Sequence, residues 1–385
     1  MRGNTLKNIE LLMLCNNVYV DNKIKIENKK IIFRLENKKF DYTVLQKIII
    51  FCNSVHRKYN GINIPIVFEL NNIKIIDKLV YVIFECICEC LISVWGHDVL
   101  VKFNNLDHIW SEGIQSSPLH LLETGKKKHL EKFQKKFSFD IYKRHFRRII
   151  NGDKQADSDF LCKLASEIDS FLKVFFVQEE YRDAISEVSV ELIGNAGEHT
   201  QADCLIDIDV STEYSKVDDE QNYYGINIAI VNYAKKLLGE GIKEKIEKPY
   251  ILDERHEKVR EAFNVHKNEF SEYYTEQDFY NIASFQHRVS ERSEVYTGGT
   301  GLTKLIKSLE SKSDAHKCYV LSGKRALIFK NEYLEYNGEK WIGFNKENEF
   351  LTKIPDVQVL GNNNIFFPGT AYNLNFVMAV DKSNS

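Results

Sequence analysis

The stretch SEVSVELIGNAGEHTQADCLIDIDV, residues 186–210, decides the fold of the C-terminal half of the chain. At about 100° per residue, the helical part and the residue before it place four apolar side chains on one face: Ile185, Val188, Leu192 and Ala196. The second part, CLIDIDV, alternates apolar and polar residues as a strand does. The sequence therefore predicts a helix that leads directly into a strand.

Three polar residues follow the flank of this helix, beside its apolar face. Glu191, Asn195 and Glu198 are separated by four and three residues, so they lie one turn apart. A carboxylate and an amide at this spacing can share a divalent ion or one water molecule. Polar residues beside a buried face are more often simply solvated, so the pattern needs support from elsewhere in the chain.

Composition limits the class of protein. The chain has 385 residues, 43% of them hydrophobic and 28% charged, with a net charge of −3, which suits one or two globular cores and excludes a polycation. The apolar stretch Leu79–Trp95 carries Glu85 and Glu89 and is predicted to be a core helix, not a membrane span. No signal-peptide pattern opens the chain. We therefore expect a cytoplasmic protein without a membrane partner.

Cysteine usage agrees with a reducing compartment. The chain has eight cysteines, and its one cluster is Cys86, Cys88 and Cys90 in a stretch with helical character. These residues lack the spacing of a zinc site, so we expect small buried core side chains.

Residues 1–120 are predicted to form a small α/β domain of unknown role. The runs IPIVFEL (64–70) and HDVLVKF (97–103) have the composition of strands, and the stretch between them that of a helix. This order predicts a β-α-β unit. None of these strands is followed by a phosphate-binding glycine loop.

Residues 121–158 are predicted to be a basic helical connector. Residues 126–148 contain ten basic residues and only two acids, Glu131 and Asp140. Phenylalanines are interleaved with them: Phe133, Phe137, Phe139 and Phe146. One hypothesis is a helix pair that binds nucleic acid or phosphate. The favoured interpretation is an amphipathic helix with a solvated cationic face and a buried phenylalanine face.

Two further motifs lie downstream. The stretch YTGGTGLTKLIKSL, residues 296–309, places glycine amides just before a predicted helix, where unpaired N–H groups and the helix dipole attract phosphate. The stretch FFPGTAYNLNF, residues 366–376, leads Pro368, Gly369 and Thr370 into an alternating strand.

In this order, the three motifs resemble those of the GHKL ATPase superfamily, which includes DNA gyrase, sensor histidine kinases, MutL proteins and the ninety-kilodalton heat-shock chaperones. The resemblance covers roughly residues 160–380. It implies an α+β protein whose domain 159–380 is a Bergerat-type α/β sandwich, a mixed sheet with helices on one face, preceded by the smaller α/β domain.

The resemblance also implies ATP and Mg²⁺ as ligands and a role for each matching residue. Glu191 would activate the hydrolytic water, Asn195 would hold the magnesium ion, and His199 would lie close to the phosphates. Thr370 would lie near the adenine. The second glycine box would wrap the phosphates through residues of the lid: Gly298, Gly299, Thr300, Gly301 and Leu302.

The first glycine box departs from the family pattern. Asn232 stands where the family has the adenine-binding Asp, and Tyr233 and Ala234 replace the glycine spacing. The amide oxygen of Asn232 can still accept a hydrogen bond from an exocyclic amine. Gly239 and Gly241 follow and are candidates for part of the hinge.

Two insertions enlarge the predicted domain. Residues 239–297 are expected to extend the lid, with Arg288 and Arg292 as candidates to reach the nucleotide or, equally, to pair with surface glutamates. Residues 325–366 are expected to hold a β-hairpin with Asn337–Gly338 at its turn.

The resemblance favours an ATP-binding protein, a slow ATPase whose nucleotide state switches a homodimer or partner interface. The first alternative is a nucleotide-sensing interaction module without catalysis, in keeping with the altered first box. The second is a histidine-type protein kinase, for which His145 is the sole helical phosphoacceptor candidate and lacks the adjacent acid and downstream proline.

Overall fold

The computed structural model describes fourteen segments of the chain. Within them, it does not describe the side chains of residues 155, 197–199, 212–214 and 301. The described residues are 6–19, 24, 26–35, 39–62, 64–70, 73–75, 77–103, 114, 116–155, 157–214, 223–248, 252–289, 301–313 and 318–379. Together they form an α+β protein with two main sheets, as predicted.

The N-terminal unit is built on a four-stranded mixed sheet. Its elements are α1 (Leu11–Cys15), β1 (Ile26–Glu27), β2 (Lys30–Arg34), β3 (Lys39–Phe40), α2 (Tyr42–Tyr59), β4 (Ile66–Leu70), β5 (Lys74–Ile75), α3 (Lys78–Ser93) and β6 (Val99–Phe103). Strands β2, β4 and β6 run parallel, with α2 and α3 as the crossovers. The predicted β-α-β unit is therefore confirmed. Asp41 and Asp77 start the two helices, since each carboxylate accepts backbone N–H groups of the first turn.

Helix α3 lies at the centre of this unit. Its residues from Lys78 to Leu91 are all buried, including Cys86, Cys88 and Cys90, which are free thiols. Both the predicted core helix and the predicted burial of these cysteines are confirmed. Among the described helices, none combines the length and the apolar character that a membrane crossing requires.

The predicted basic connector is helical only in its first part. A 3₁₀ turn at Pro118–Leu122 precedes α4 (Lys127–Ser138), but the next residues form two antiparallel strands, β7 (Phe139–Tyr142) and β8 (His145–Ile150). The prediction of a helix pair is wrong for 139–150. The reason is that every residue of β8 except Arg148 is buried and the strand pairs with the larger sheet, and this tertiary burial overrides the local charge pattern.

The C-terminal half is built on a six-stranded antiparallel sheet of order β11-β12-β10-β9-β8-β7. Its further strands are β9 (Cys204–Tyr214), β10 (Tyr223–Tyr233), β11 (Tyr319–Ile328) and β12 (Leu360–Ala379). The mixed pairing expected for this half is found instead in the N-terminal sheet. The predicted domain boundary at residue 159 falls within the segment that forms this sheet. Strands β7 and β8 lie before that residue and belong to the sheet.

Helices cover both faces of the six-stranded sheet. One face carries α5 (Gly152–Gln155), α6 (Ser158–Lys173), α7 (Glu179–Thr200) and α11 (Gly301–Lys312), packed on residues such as Ile206, Ile228 and Leu374. The opposite face, which includes Leu205, Val231 and Ala371, shares one core with α2 and α3 of the N-terminal unit. The structure thus adds a second helical layer to the single one expected.

The two insertions pack against each other. The first contains α8 (Glu240–Glu247), α9 (Glu254–His266) and α10 (Glu276–Ala283). The second, between β11 and β12, contains 3₁₀ turns but no paired strand, although all its residues are described. The predicted hairpin is therefore wrong, and only its turn is present, where Asn337 accepts the N–H of Lys340.

The second insertion is non-extended because most of its apolar side chains point into one core. Trp341, Ile342, Phe344 and Phe350 are buried together instead of alternating between two faces. The Gln286 side-chain amide donates to the Ile342 carbonyl at 2.9 Å and accepts the Ile342 N–H at 2.9 Å. These two hydrogen bonds join the first insertion to the second.

Candidate functional site

Helix α7 presents the predicted polar flank. Ile185, Val188 and Leu192 are buried against the sheet, as the helical periodicity requires. Glu191 and Asn195 lie beside them and are half-buried, with 33% of the Glu191 side chain exposed. The carboxylate and the amide are thus accessible to a ligand at the border of the helical layer.

Helix α11 runs antiparallel to α7. The Lys304 ammonium lies 2.5 Å from Glu187 Oε1 and 3.5 Å from Glu191 Oε1, whereas Lys312, two turns further on, lies over the Tyr181 ring. The N-terminus of α11 therefore points toward the half of α7 that carries Glu191 and Asn195. The hydrogen bond with Glu187 raises the pKa of Lys304, so this cation stays charged beside Glu191.

The glycine-rich motif starts α11. Gly301 is the first residue of the helix, and the half-buried Leu302 packs on the core. Gly298, Gly299 and Thr300 lie outside the described residues. The four N–H groups at the start of a helix lack partners within it, so the described N-terminus offers donors and a partial positive charge.

Asn232 and Thr370 are direct neighbours across the sheet. Asn232 on β10 pairs in register with Thr370 on β12, and both side chains face the layer of α7 and α11. Gly369 makes this pairing possible: its φ is 92°, and a Cβ there would lie 2.3 Å from the Asn232 carbonyl oxygen.

Asn232 also contacts the exit of α7. Its Nδ2 donates to the carbonyls of Asp203 at 3.1 Å and Ala202 at 3.4 Å, in the turn between α7 and β9. The residue is 4% exposed, and both of these bonds use Nδ2, so Oδ1 is the atom left to accept from a ligand. The turn after α7, Asn232 and Thr370 consequently meet at one end of the sheet.

Tyr233 is one of the two residues that replace the glycine spacing of the first glycine box. Its side chain is fully buried on the opposite face, against Phe367 at a ring distance of 5.2 Å and within the core shared with α3. A glycine here would leave a cavity between the sheet and the N-terminal unit. Strand β10 thus extends to Tyr233, the first of the two residues that replace the glycine spacing.

The remaining predicted residues are placed less fully. The side chains of Glu198 and His199 and the whole of Arg292 lie outside what the structure describes. Arg288 is exposed at the end of the first insertion. Gly239 precedes α8 with a φ of 78°, and a Cβ there would lie 2.2 Å from the Tyr280 carbonyl oxygen, so its role is a tight turn.

A second cluster of charges, which the sequence analysis missed, lies between α3 and the opposite face of the sheet. Lys78 Nζ is 2.6 Å from Asp207 Oδ1 and 2.6 Å from Asp209 Oδ2. His145 Nε2 lies 2.9 Å from Asp207, and Arg147 bridges Asp207 and Glu85. The alternation of carboxylates in the apolar strand CLIDIDV was the available signal, since both Asp side chains point to one face.

The charged groups in this cluster shift one another's pKa values. Burial alone would lower the pKa of His145, but the carboxylates of Asp207 and Asp209 outweigh it and raise the pKa to about 9. Burial opposes ionisation of Asp207 as well, yet Arg147, Lys78 and His145 hold its pKa well below the usual range. His145 and Asp207 are therefore both charged near pH 7, whereas burial raises the pKa of Asp209 and of Glu85.

His145, Asp207 and Asp209 also have the spacing of a metal site, since one ligand atom from each lies within 4.8 Å of the others. The Lys78 ammonium, however, lies between the two carboxylates and supplies the positive charge that a metal would bring. A cation beside this ammonium would be repelled. The donor set fits an internal ion-pair network better than a metal centre.

His145 does not fit the role of a phosphoacceptor. It lies in β8, not in a helix, and its side chain has no exposed surface. The interpretation of His145 as a helical phosphoacceptor candidate is therefore wrong.

Comparison of the chain with protein-family models, with curated proteins and with solved structures returns no match. What the protein does must accordingly be inferred from its own residues and their placement.

Proposed function

We propose that the C-terminal half binds ATP with Mg²⁺ and that its nucleotide state switches a dimer or partner interface. The observation that supports the proposal is a shared placement: the polar flank of α7, the start of α11, Asn232 and Thr370 come from four distant segments and lie on the same side of the sheet. This is the arrangement that the resemblance to GHKL ATPases implies, because one ligand has to contact all four motifs.

The residues present fit the ligand in three places. Asn232 Oδ1 and the Thr370 hydroxyl provide an acceptor and a donor or acceptor for an adenine edge. The amides at the start of α11 suit a phosphate. Asn195, half-buried one turn from Glu191, would hold the magnesium ion through its amide oxygen.

Glu191 would orient and activate the hydrolytic water in this arrangement. The ion pair with Lys304 limits this activity, since the ammonium, 3.5 Å from Glu191 Oε1, competes with a water molecule for the carboxylate. Bound phosphates would compete for the Lys304 ammonium and release Glu191. We therefore propose slow hydrolysis that depends on nucleotide binding.

A second candidate, a nucleotide sensor without catalysis, is favoured by the same ion pair and by the buried state of Asn232. If Lys304 stays on Glu191 after ATP binds, the carboxylate remains unavailable to a water molecule. The two candidates share the binding site and differ only in turnover.

Calorimetry with ATP in the presence and absence of Mg²⁺ tests the shared site. We expect Mg²⁺-dependent binding by the wild type, its loss in Asn195→Ala, and no change in Asn264→Ala, an exposed residue of α9 that serves as the matched control. If folded wild type binds neither ATP nor ADP, the proposal is refuted.

Phosphate release separates the two candidates. Glu191→Gln should retain ATP binding in both cases. A fall of about 100-fold in turnover would support hydrolysis, in keeping with loss of a general base. Equal, background turnover in wild type and variant would support the sensor.

A further inference from the structure

The outer edge of the six-stranded sheet is formed by β7. In the described part of the chain β7 pairs with β8 alone, so its other edge has no strand beside it. In an antiparallel pair alternate residues direct their N–H and C=O groups to the partner, and the residues between them direct theirs outward. This edge therefore presents backbone groups to which a further strand can hydrogen-bond.

The side chains of this edge strand are unusually apolar for their exposure. Phe139, Ile141 and Tyr142 are 53%, 49% and 51% exposed. Phe139 and Ile141 share one face of the strand, at the spacing that matches alternate residues of an added strand. A short apolar edge without a covering element is the kind of surface that binds extended segments.

The surroundings of the edge are strongly cationic. Between residues 126 and 143 the exposed side chains, apart from these three, are one acid, Glu131, and six lysines: Lys126, Lys127, Lys128, Lys132, Lys135 and Lys143. The acids next to the strand are already paired, Asp140 with Lys136 and Glu167 with Arg148. The edge thus lies in an unbalanced positive field.

We propose that the β7 edge binds an acidic, extended peptide segment of a partner protein, which adds to the sheet as a seventh strand. The main chain of the partner would pair with the open edge, apolar side chains at alternate positions would cover Phe139 and Ile141, and its carboxylates would meet the lysines of α4. This interface is independent of the proposed nucleotide site, which lies on other strands.

Charge and geometry disfavour two other occupants. A second copy of the chain would bring a like cationic patch against the first when two β7 edges pair about a two-fold axis. A single-stranded nucleic acid stacks successive bases on several open rings. Of these three side chains only Phe139 presents a ring without a cation over it, since the Tyr142 ring has Lys136 at 5.2 Å and Lys143 at 5.4 Å and Ile141 has no ring.

Selection from a random library of displayed twelve-residue peptides tests the proposal on the full chain. Wild type and the variant Phe139→Thr with Ile141→Thr are used in parallel. Threonine keeps the strand propensity while removing the apolar surface, and both positions are exposed, so the fold is retained. Val357→Thr, a residue 67% exposed elsewhere, is the matched control.

We expect the wild type and the control to enrich peptides with alternating β-branched residues and several Asp or Glu. One such peptide, synthesised with a fluorophore, should bind the threonine variant about tenfold more weakly by anisotropy, on the scale of losing two interface anchors. Lys132→Glu with Lys135→Glu should weaken it severalfold, and added salt should do the same.

Four results would overturn the proposal. The first is a library that yields no peptide dependent on Phe139 and Ile141, and the second is enrichment of peptides without acidic residues. The third is a twelve-nucleotide oligothymidine that binds and is lost in the same variants, which would identify a nucleic-acid surface. The fourth is a concentration-dependent dimer that the threonine variant abolishes, which would identify a second copy as the occupant.

Discussion

The ammonium of Lys78 lies 2.6 Å from a carboxylate oxygen of Asp209, 131 residues further along the chain. Lys78 begins α3 of the N-terminal unit, and Asp209 lies on β9, near the middle of the large sheet. Both side chains are buried, so this contact fastens the N-terminal unit to the opposite face of the sheet without solvent screening.

Replacing Lys78 with Met should strongly destabilise the protein. The variant leaves two buried carboxylates without their ammonium, which costs about 3–5 kcal/mol of unfolding free energy. Urea denaturation measures the loss. Lys102→Met is the control, because Lys102 is exposed and its pair with Glu69 contributes about 0–1 kcal/mol. Equal effects of the two substitutions would contradict a role for the buried network.

The stability of the protein should fall as the pH rises from 7 to 9.5. The folded pKa of His145, about 9, lies above its unfolded value of about 6.5, so the folded state holds an extra proton between these values. This contribution, about 3 kcal/mol, is complete below pH 6.5 and is lost as the pH passes 9. Denaturant unfolding at several pH values measures the slope.

His145→Gln provides the control for this slope. The variant should be less stable at pH 7 and should lose the decline that begins near pH 7. Above about pH 8.5 both proteins should share a further decline, because thiols ionise in the unfolded state while burial raises the folded pKa of Cys52, Cys86 and Cys204. Burial raises the pKa of Glu89 to about 7, so the titration of that group falls mostly below this window. A decline that persists unchanged in the variant would show that another group is responsible.

Gly369→Ala should destabilise the sheet beside the proposed adenine site. Its φ of 92° and the approach of the Asn232 carbonyl leave no space for a methyl group, so we expect a loss of about 2 kcal/mol or more. Thermal unfolding measures it. Gly338→Ala is the matched control, since a Cβ there meets nothing within 4 Å. A neutral Gly369→Ala would mean that β12 relaxes away from Asn232.

Lys304→Met should change the affinity for the nucleotide while leaving the stability of the protein nearly unchanged. The Lys304 ion pairs are partly exposed, so their loss should change the unfolding free energy by no more than about 1 kcal/mol. If ATP is bound as proposed, loss of this cation at the start of α11 should weaken binding about three- to tenfold. Lys307→Met, at an exposed position of the same helix, is the control. Unchanged affinity would remove Lys304 from the site.

Gln286→Leu should loosen both insertions at once. The leucine would leave the buried N–H and C=O of Ile342 unpaired, at about 1–3 kcal/mol each. Hydrogen exchange should increase together in α9, α10 and the 341–350 segment, because their side chains share one core. Increased exchange confined to one insertion would show that the two are independent.

Much of the fold could be predicted from local patterns. Helix α3 is a long apolar stretch, α7 has one apolar face, β4 and β6 are apolar runs and β9 alternates apolar and polar residues, so these elements were predicted. The error at 139–150 arose because strand formation there depends on pairing with β9, which no local pattern reveals. The second helical layer on the sheet was missed for a similar reason, since Tyr233 and Val231 do not indicate what covers them.

The candidate site was predictable only where residue type and spacing carried the chemistry. Glu191, Asn195 and the start of α11 followed from such motifs. The Lys304 ion pair was not predicted, because it depends on the antiparallel packing of α11 on α7. The buried network was missed because its six charged residues come from α3, β8 and β9 and meet only in three dimensions.

The core that α3 shares with the large sheet has a consequence for synthesis of the chain. The ribosome completes α3 by residue 93, whereas its covering strands end with β12, beyond residue 370. At about 5–20 residues per second, the nascent chain carries the sheet-facing side of this helix uncovered for roughly 15 to 55 seconds. During that interval this side, which includes Cys86 beside the later Tyr233, is open to chaperones, to aggregation and to oxidation. Every product truncated before β12 keeps part of that surface exposed.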